Sequence, residues 1–353
     1  MTARSITYAA AIHEAIQTAM TLDERVICYG LGVPDPKGVF GTTLGLQEQF
    51  GAERVFDMPT SENAMTGVAV GAALAGLRPV VTHQRVDFFL LAMDQLVNSA
   101  AKWRYIFRGE MAVPLTIRLV IGRGWGQGPT HSQSLQAWFA HVPGLKVVMP
   151  SLAADAKGLL LASIADNNPV VFLEHRWLHN QAGAVPEGDY RVPLGKAAVL
   201  REGADVTLVG MSFMTMEALR AAEHLAGRGV TCDVVDLRTI APLDWDTVLG
   251  SVSKTGRLLA LDTSWITGSV AGEIVARAAT ECWEALKCAP QRLGLPDFPV
   301  PAGYSLTRGF YPTACDVVRK VEQMLGRELG AEALAIPADE HHDVPGEWFK
   351  GPF

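Results

Sequence analysis

The stretch Ser61-Glu62-Asn63-Ala64-Met65-Thr66-Gly67-Val68-Ala69-Val70-Gly71-Ala72-Ala73-Leu74-Ala75-Gly76-Leu77-Arg78-Pro79 decides how the whole chain is read. It follows a short apolar run, Arg54-Val55-Phe56-Asp57. Ser61 is of the type that caps helix N-termini, because its hydroxyl can accept a free backbone N–H there. Glu62 then falls in the first turn, where the positive end of the helix dipole favours a carboxylate. Gly76 and Pro79 end the helix: glycine takes the left-handed turn of a C-terminal cap, and proline cannot continue a helix. Small residues on most faces predict a helix packed closely all round, hence buried. A carboxylate at its mouth is either a surface group held by the dipole or a buried catalytic one.

Strands and helices alternate outward from this element. Residues 6–20 form an Ala-rich amphipathic helix pattern, 26–29 a first apolar strand, and 30–41 a Gly/Pro loop. Residues 78–82 read as a strand and 87–108 as one long helix. Strand 114–121, glycine-rich loop 122–130, helix 131–141, strand 145–149, helix 153–164 and strand 170–173 follow. Continuous apolar strand runs suit a buried parallel sheet. The polar segment 179–193 is the best linker. A second α/β pattern runs from 205 to a terminal helix over 315–329. The fold class is α/β, with two parallel-sheet domains.

The chain has 353 residues, 49% hydrophobic and 19% charged. That balance leaves apolar area for another subunit to cover. Net charge is −7 without a basic block, which argues against nucleic acid. Five cysteines without CxxC spacing read as reduced thiols of a cytoplasmic protein. Neither a signal peptide nor a membrane span is expected.

Gly122-Arg123-Gly124-Trp125-Gly126-Gln127-Gly128 fails the G-x-G-x-x-G spacing, which argues against nicotinamide binding. The loop can still bring backbone close to a ligand, and it delivers His131 at a strand's carboxyl end, where open α/β sheets place their chemistry. Phe88 and Phe89 read as core, or as one aromatic face for a planar heterocycle. Asp339-Glu340-His341-His342-Asp343 reads as a solvated or subunit-wrapping tail rather than a metal cluster.

Taken together these motifs resemble the beta subunit of thiamine-diphosphate-dependent 2-oxo acid dehydrogenases, of the pyruvate and branched-chain type in the transketolase-like superfamily. The likeness is carried by 54–63 and 67–80, by Met93-Asp94-Gln95-Leu96-Val97-Asn98-Ser99-Ala100-Ala101-Lys102, and by His131-Ser132-Gln133-Ser134. It continues through Pro143-Gly144-Leu145-Lys146-Val147-Val148, Asp236-Leu237-Arg238-Thr239-Ile240-Ala241-Pro242 and Pro296-Asp297-Phe298-Pro299. It covers about residues 4–325, in order. It implies a pyrimidine-binding domain over 1–180, a linker over 181–195, a transketolase C-terminal-type domain over 196–329 and a tail over 330–353. Glu62 would hydrogen-bond the aminopyrimidine ring and promote the imino tautomer that removes the thiazolium proton, and Phe88 would stack on that ring. His131 would contact the substrate. Leu115, Ser163, Asp166 and Asn168 match a structural potassium site built mostly from backbone oxygens.

The Gly-Asp-Gly motif that holds Mg²⁺ and diphosphate is missing. The only Gly-Asp is Gly188-Asp189, followed by Tyr190, and Asn167-Asn168 lies upstream in the wrong order. The resemblance therefore implies half a site, completed by an alpha subunit in an α2β2 assembly, with a lipoyl acyltransferase as acceptor. The chain departs from the family at Leu31, where an acid is usual, in Thr82-His83-Gln84-Arg85-Val86, and in the loop before His131. His83 and Arg85 are candidate substrate contacts, Arg85 as a clamp for an anion or as an interface ion pair. A split transketolase-like or acyloin carboligase that uses an aldehyde acceptor is the second reading. A non-catalytic partner is the third, opposed by the joint presence of Glu62, Phe88 and His131.

Overall fold

The computed structural model describes residues 4–123 and 126–344. The expected strands over 26–29, 78–82 and 170–173 form, as Val26–Gly30, Arg78–His83 and Val170–His175. With Thr116–Ile121 they make the middle of a seven-stranded sheet, in the order Thr239–Ala241, Lys146–Val148, Val170–His175, Thr116–Ile121, Arg78–His83, Val26–Gly30, Val55–Asp57. All neighbours are parallel except the first pair. The central strands are buried on both faces, which is why they read as unbroken apolar runs.

Helices Tyr8–Leu22 and Ala153–Ala165 cover one face. Ile12, Ile16 and Met20 are 0–1% exposed there, each contributing on the order of 1.5–3 kcal/mol by burial. The second half carries a five-stranded sheet, Gln291–Leu295, Leu258–Trp265, Val206–Gly210, Cys232–Asp236 and Ala198–Arg201. The hydrophobic core is continuous between the halves, from Met65 and Phe139 to Val209 and Leu237.

The structure corrects four expectations. Helix Glu62–Leu74 is buried on one side only. Ala64, Val68, Gly71 and Ala75 lie on an open face, with Val68 48% exposed. The segment over 87–108 is not one regular helix: it runs Val86–Phe89, a 3₁₀ turn Leu90–Ala92, a wide π turn Gln95–Ala100, then Ala101–Ile106. The helix after the glycine-rich loop is only Gln136–Ala140; before it, Gln133 gives its side chain to Asp87 and its carbonyl to the Gly122 N–H. The linker is partly a strand: Ala182–Val185 pairs antiparallel with Arg4–Thr7. Among the described residues, no helix is long and apolar enough to cross a membrane.

Candidate active site

The carboxyl ends of the parallel strands place Gly30, Asp57, His83, Ile121 and His175 along one edge of the sheet. This is where ligands bind in open α/β folds. A cavity of about 740 Å³ opens there, lined by residues 35–40 of the first loop together with Gln84, Arg85, Phe88, Gln127 and His131. The sequence thus brings Phe88, Arg85 and His131 to one wall. The His131 ring stands edge-on to Phe88, with centroids 5.2 Å apart and planes at 89°. Thr130 Oγ1 lies 3.1 Å from His131 Nδ1.

Arg85 is 4% exposed. Its guanidinium donates to Gln127 Oε1 and, at 3.4 Å, to the Gly122 carbonyl. Both partners are neutral, and burial lowers its pKa to about 10. Among the described residues no carboxylate forms an ion pair with it, although the charge of Asp87 lies near enough to favour the cation. The guanidinium of Arg176 lies over the ring of Phe40, 4.4 Å from its centroid, on the same side of the cavity. Phe40 sits at φ 52°, a left-handed backbone that a bulky residue seldom adopts and that clusters at functional sites.

His83 does not reach the cavity. Its ring is 1% exposed, edge-on to Phe89 at 5.0 Å, with neither nitrogen partnered. Burial lowers its pKa to about 3, so it is neutral. Its expected role as a direct substrate contact is corrected to a place beneath the site, because His83 is the last residue of a strand buried on both faces.

Glu62 is 7% exposed at the start of its helix and has no side-chain partner among the described residues. Ser61 occupies the cap position, but its side chain makes no capping bond. The first-turn N–H groups are therefore free to face a ligand. Glu62 stands at the same edge but is not on the cavity wall. Its helix packs against the segment carrying Phe88 through Gly67, where an added Cβ would sit 3.5 Å from Gln95 Oε1.

Sequence reasoning missed the support beneath the cavity. Arg118 and Glu174 are 1% and 0% exposed and pair bidentately at 2.6 and 3.0 Å. Arg118 also donates to Thr42 Oγ1 at 2.9 Å, tying the cavity loop to the sheet. The signal was a charge inside each apolar run, Thr116-Ile117-Arg118-Leu119 and Phe172-Leu173-Glu174, which burial requires to be paired.

The fit to the implied groups divides. An aromatic face, a buried carboxylate and an imidazole suit a pyrimidine and its substrate. Among the described residues no such fit is found for diphosphate and Mg²⁺. Asp189 pairs with Arg191 at 3.5 Å, and the described residues include no group of three His, Cys, Asp or Glu placed for a metal. The four potassium candidates do meet at one turn. There, Ser163 and Leu115 carbonyls accept from Asp166 and Val170, the Asp166 carboxylate pairs with Lys146, and Arg78 donates to the Asp166 carbonyl at 3.1 Å. Backbone N–H groups serve the Ser163 and Leu115 carbonyls, and cationic side chains serve the oxygens of Asp166. Leu31 is half-buried against the core and cannot carry a proton.

This layout of sheet, helix mouth and edge cavity is that of a transketolase-type protein. The family models for the transketolase pyrimidine binding domain and the transketolase C-terminal domain match residues 4–181 and 195–317. The beta subunit of acetoin:2,6-dichlorophenolindophenol oxidoreductase from Cupriavidus necator is 42% identical over 325 residues, covering 89% of this chain and 96% of that protein. The pyruvate dehydrogenase E1 component beta subunit of Rickettsia felis is 40% identical over 319 residues, covering 90% and 98%. A solved split-gene transketolase, an inactive beta4 tetramer, overlays with TM-score 0.73 at 24% identity, covering 91% and 98%, which supports the fold. The chain belongs to the family of beta subunits of thiamine-diphosphate-dependent 2-oxo acid dehydrogenases.

Proposed function

We propose that this chain is the pyrimidine-side half of an enzyme that oxidatively decarboxylates a 2-oxo acid and passes the acyl group to a lipoyl acyltransferase. The observation that supports it most is an incomplete site: Phe88, Arg85 and His131 around one cavity, Glu62 at the adjoining helix mouth, and, among the described residues, no carboxylate group placed for the metal that would hold diphosphate. When bound, thiamine diphosphate supplies the carbanion and the electron sink. Glu62 would hydrogen-bond the aminopyrimidine ring of the bound cofactor, and Phe88 would offer that ring an aromatic face. His131 contacts the substrate, and Arg85 holds its anionic end.

The diphosphate and Mg²⁺ fall to an alpha subunit bearing Gly-Asp-Gly, in a cytoplasmic α2β2 assembly. Apolar residues left open, with Tyr105 89%, Leu91 70%, Ile106 61% and Val68 48% exposed, support a covered face. Potassium at Leu115, Ser163, Asp166 and Asn168 would be structural and takes no part in the reaction. The domain borders we adopt are 1–180, 181–195, 196–329 and 330–353. Leu31, in place of the usual acid, supports the second reading, transfer to an aldehyde acceptor.

The test is a pull-down from the native source with thiamine diphosphate and Mg²⁺ present, read by mass spectrometry. Recovery of an alpha subunit together with a lipoylated acyltransferase is expected. An alpha subunit alone would move the assignment to carboligation. Absence of any alpha subunit would sink the half-site. In the reconstituted enzyme Glu62→Gln is expected to cut turnover by about 10²–10⁴ with assembly intact, and unchanged turnover would make the chain a non-catalytic partner.

A further inference from the structure

The acidic, His-containing tail is exposed over residues 335–341 but buried at His342 and Asp343. His342 and Asp343 are 6% and 2% exposed, and they fold back onto their own chain. The second half of the chain supplies the seat. The His342 ring nitrogen Nε2 lies 2.9 Å from Thr307 Oγ1 and 3.0 Å from the Tyr304 carbonyl, and the two rings stand 4.2 Å apart. Arg308 donates to the Ala338 carbonyl at 3.2 Å. Residues 345–353 lie outside the described part of the chain.

The first half supplies what the tail holds. Arg123, 7% exposed, donates to the His342 carbonyl at 3.3 Å. Its guanidinium is sandwiched between Trp177 and Tyr311, 3.4 and 4.3 Å from their ring centroids. Asp343, 2% exposed, lies beside Gly126 and close enough to Arg123 for that cation to favour its ionised form. Gly126 precedes Gln127, the residue that receives the Arg85 guanidinium. Tyr311 in turn is hydrogen-bonded to Ser132, beside His131. The tail is therefore linked to both ends of the loop that forms one wall of the cavity. Glycine at 126 and 128 keeps that loop in left-handed turns at φ 67° and 68°, a backbone with little stiffness of its own.

We propose that residues 341–343 act as a strap that positions the catalytic edge: the His342 carbonyl holds Arg123, the buried Asp343 carboxylate balances that cation beside Gly126, and together they fix Gln127 against Arg85 and Ser132 beside His131. Asp343 is a positioning residue; it touches no substrate. A carboxylate is needed because it balances the charge of the buried Arg123 guanidinium, which a neutral amide of the same shape cannot do.

The test compares the full chain with Asp343→Asn, Asp343→Glu and a chain ending at Pro337. Hydrogen–deuterium exchange over 122–131 and tryptic cleavage after Arg123 are measured. Asp343→Asn and the truncation should each raise both rates in this loop at least tenfold and leave exchange in the two sheets unchanged. Asp343→Glu should restore most of the protection. If the truncated chain does not fold, the two single substitutions still decide. Loop protection that survives Asp343→Asn overturns the strap, as does a rise spread evenly over both sheets. In the assembled enzyme Asp343→Asn should raise the KM for the 2-oxo acid several-fold with kcat changed less than twofold. A loosened loop in an enzyme that turns over no 2-oxo acid would overturn only the proposed reaction.

Discussion

The imidazole of His131 meets the face of Phe88 edge-on, 5.2 Å between centroids, although 43 positions separate the two in sequence (131 − 88). A half-buried phenyl ring that borders a large cavity contributes less to the core than Phe89 beneath it, which is 0% exposed. Phe88→Leu keeps the apolar volume and removes the π face. Stability should change by about 1 kcal/mol or less, while the Kd for thiamine diphosphate in the assembled enzyme should rise about two- to tenfold, the worth of one aromatic stack. Calorimetric titration and a thermal melt separate the two quantities.

Arg85 is a buried cation whose hydrogen-bond partners among the described residues, Gln127 and the Gly122 carbonyl, are neutral, and the charge of Asp87 offsets its burial only in part. Such a charge costs desolvation that neither partner repays in full, so an anion in the cavity would complete it. Arg85→Met is expected to leave the chain as stable as the parent or more so, and to raise KM for a 2-oxo acid by about 10- to 150-fold, the range for one charge-assisted bond. Steady-state kinetics beside a urea titration checks both. A lowered stability with unchanged KM would make Arg85 a structural residue.

Much of this was legible before the structure. Val26–Gly30 and Val170–His175 are apolar and bounded by turn residues, so local pattern and fold agree. Gln291–Leu295 was missed because a half-buried edge strand reading Gln-Arg-Leu-Gly-Leu carries no apolar run. Ala182–Val185 passed for linker because its partner lies near the start of the chain. Motifs singled out Glu62, Phe88 and His131, of which Phe88 and His131 line the cavity. Gln127 under Arg85 and Arg123 under the tail were not singled out, since those contacts join positions 42 and 219 apart and exist only once the loops are folded. The open face of helix Glu62–Leu74 was misjudged because small residues pack equally well against this chain or another.

The Arg118–Glu174 pair lies inside the sheet, with Thr82 and Thr42 completing the guanidinium's bonds. Removing one partner leaves a buried charge, so Glu174→Gln should cost about 3–5 kcal/mol. Replacing both by apolar residues of similar size should cost far less, because the desolvation of two charges is removed with their attraction. The double variant should nevertheless lose activity, since the bond to Thr42 holds the cavity loop. Denaturant titration of both single variants and the double one gives the coupling energy directly.

Asp236 ends a central strand of the second sheet and is 0% exposed. Its Oδ1 accepts from Ser151 and Thr215 at 2.8 and 3.2 Å, while Oδ2 has no partner. Burial, reinforced by the nearby Asp155 carboxylate, raises its pKa from 3.8 to about 7. A raised carboxyl pKa means that the native state holds a proton that the unfolded chain has released between about pH 4 and 7. The contribution of Asp236 is therefore fully present below the unfolded value and is lost as pH rises through 7. At about 1.4 kcal/mol per unit the loss is on the order of 4 kcal/mol, taken as an upper bound. His83, lowered to about 3, acts in the opposite direction and removes stability as pH falls below its ordinary 6.5. Comparing a variant with its parent isolates the Asp236 contribution from this one. Asp236→Asn supplies a neutral group of the same shape at every pH. The stability difference between Asp236→Asn and the parent should be small at pH 5 and should move in favour of the variant by several kcal/mol at pH 8. Parallel stability curves at the two pH values would show instead that Asp236 is already ionised in the native protein.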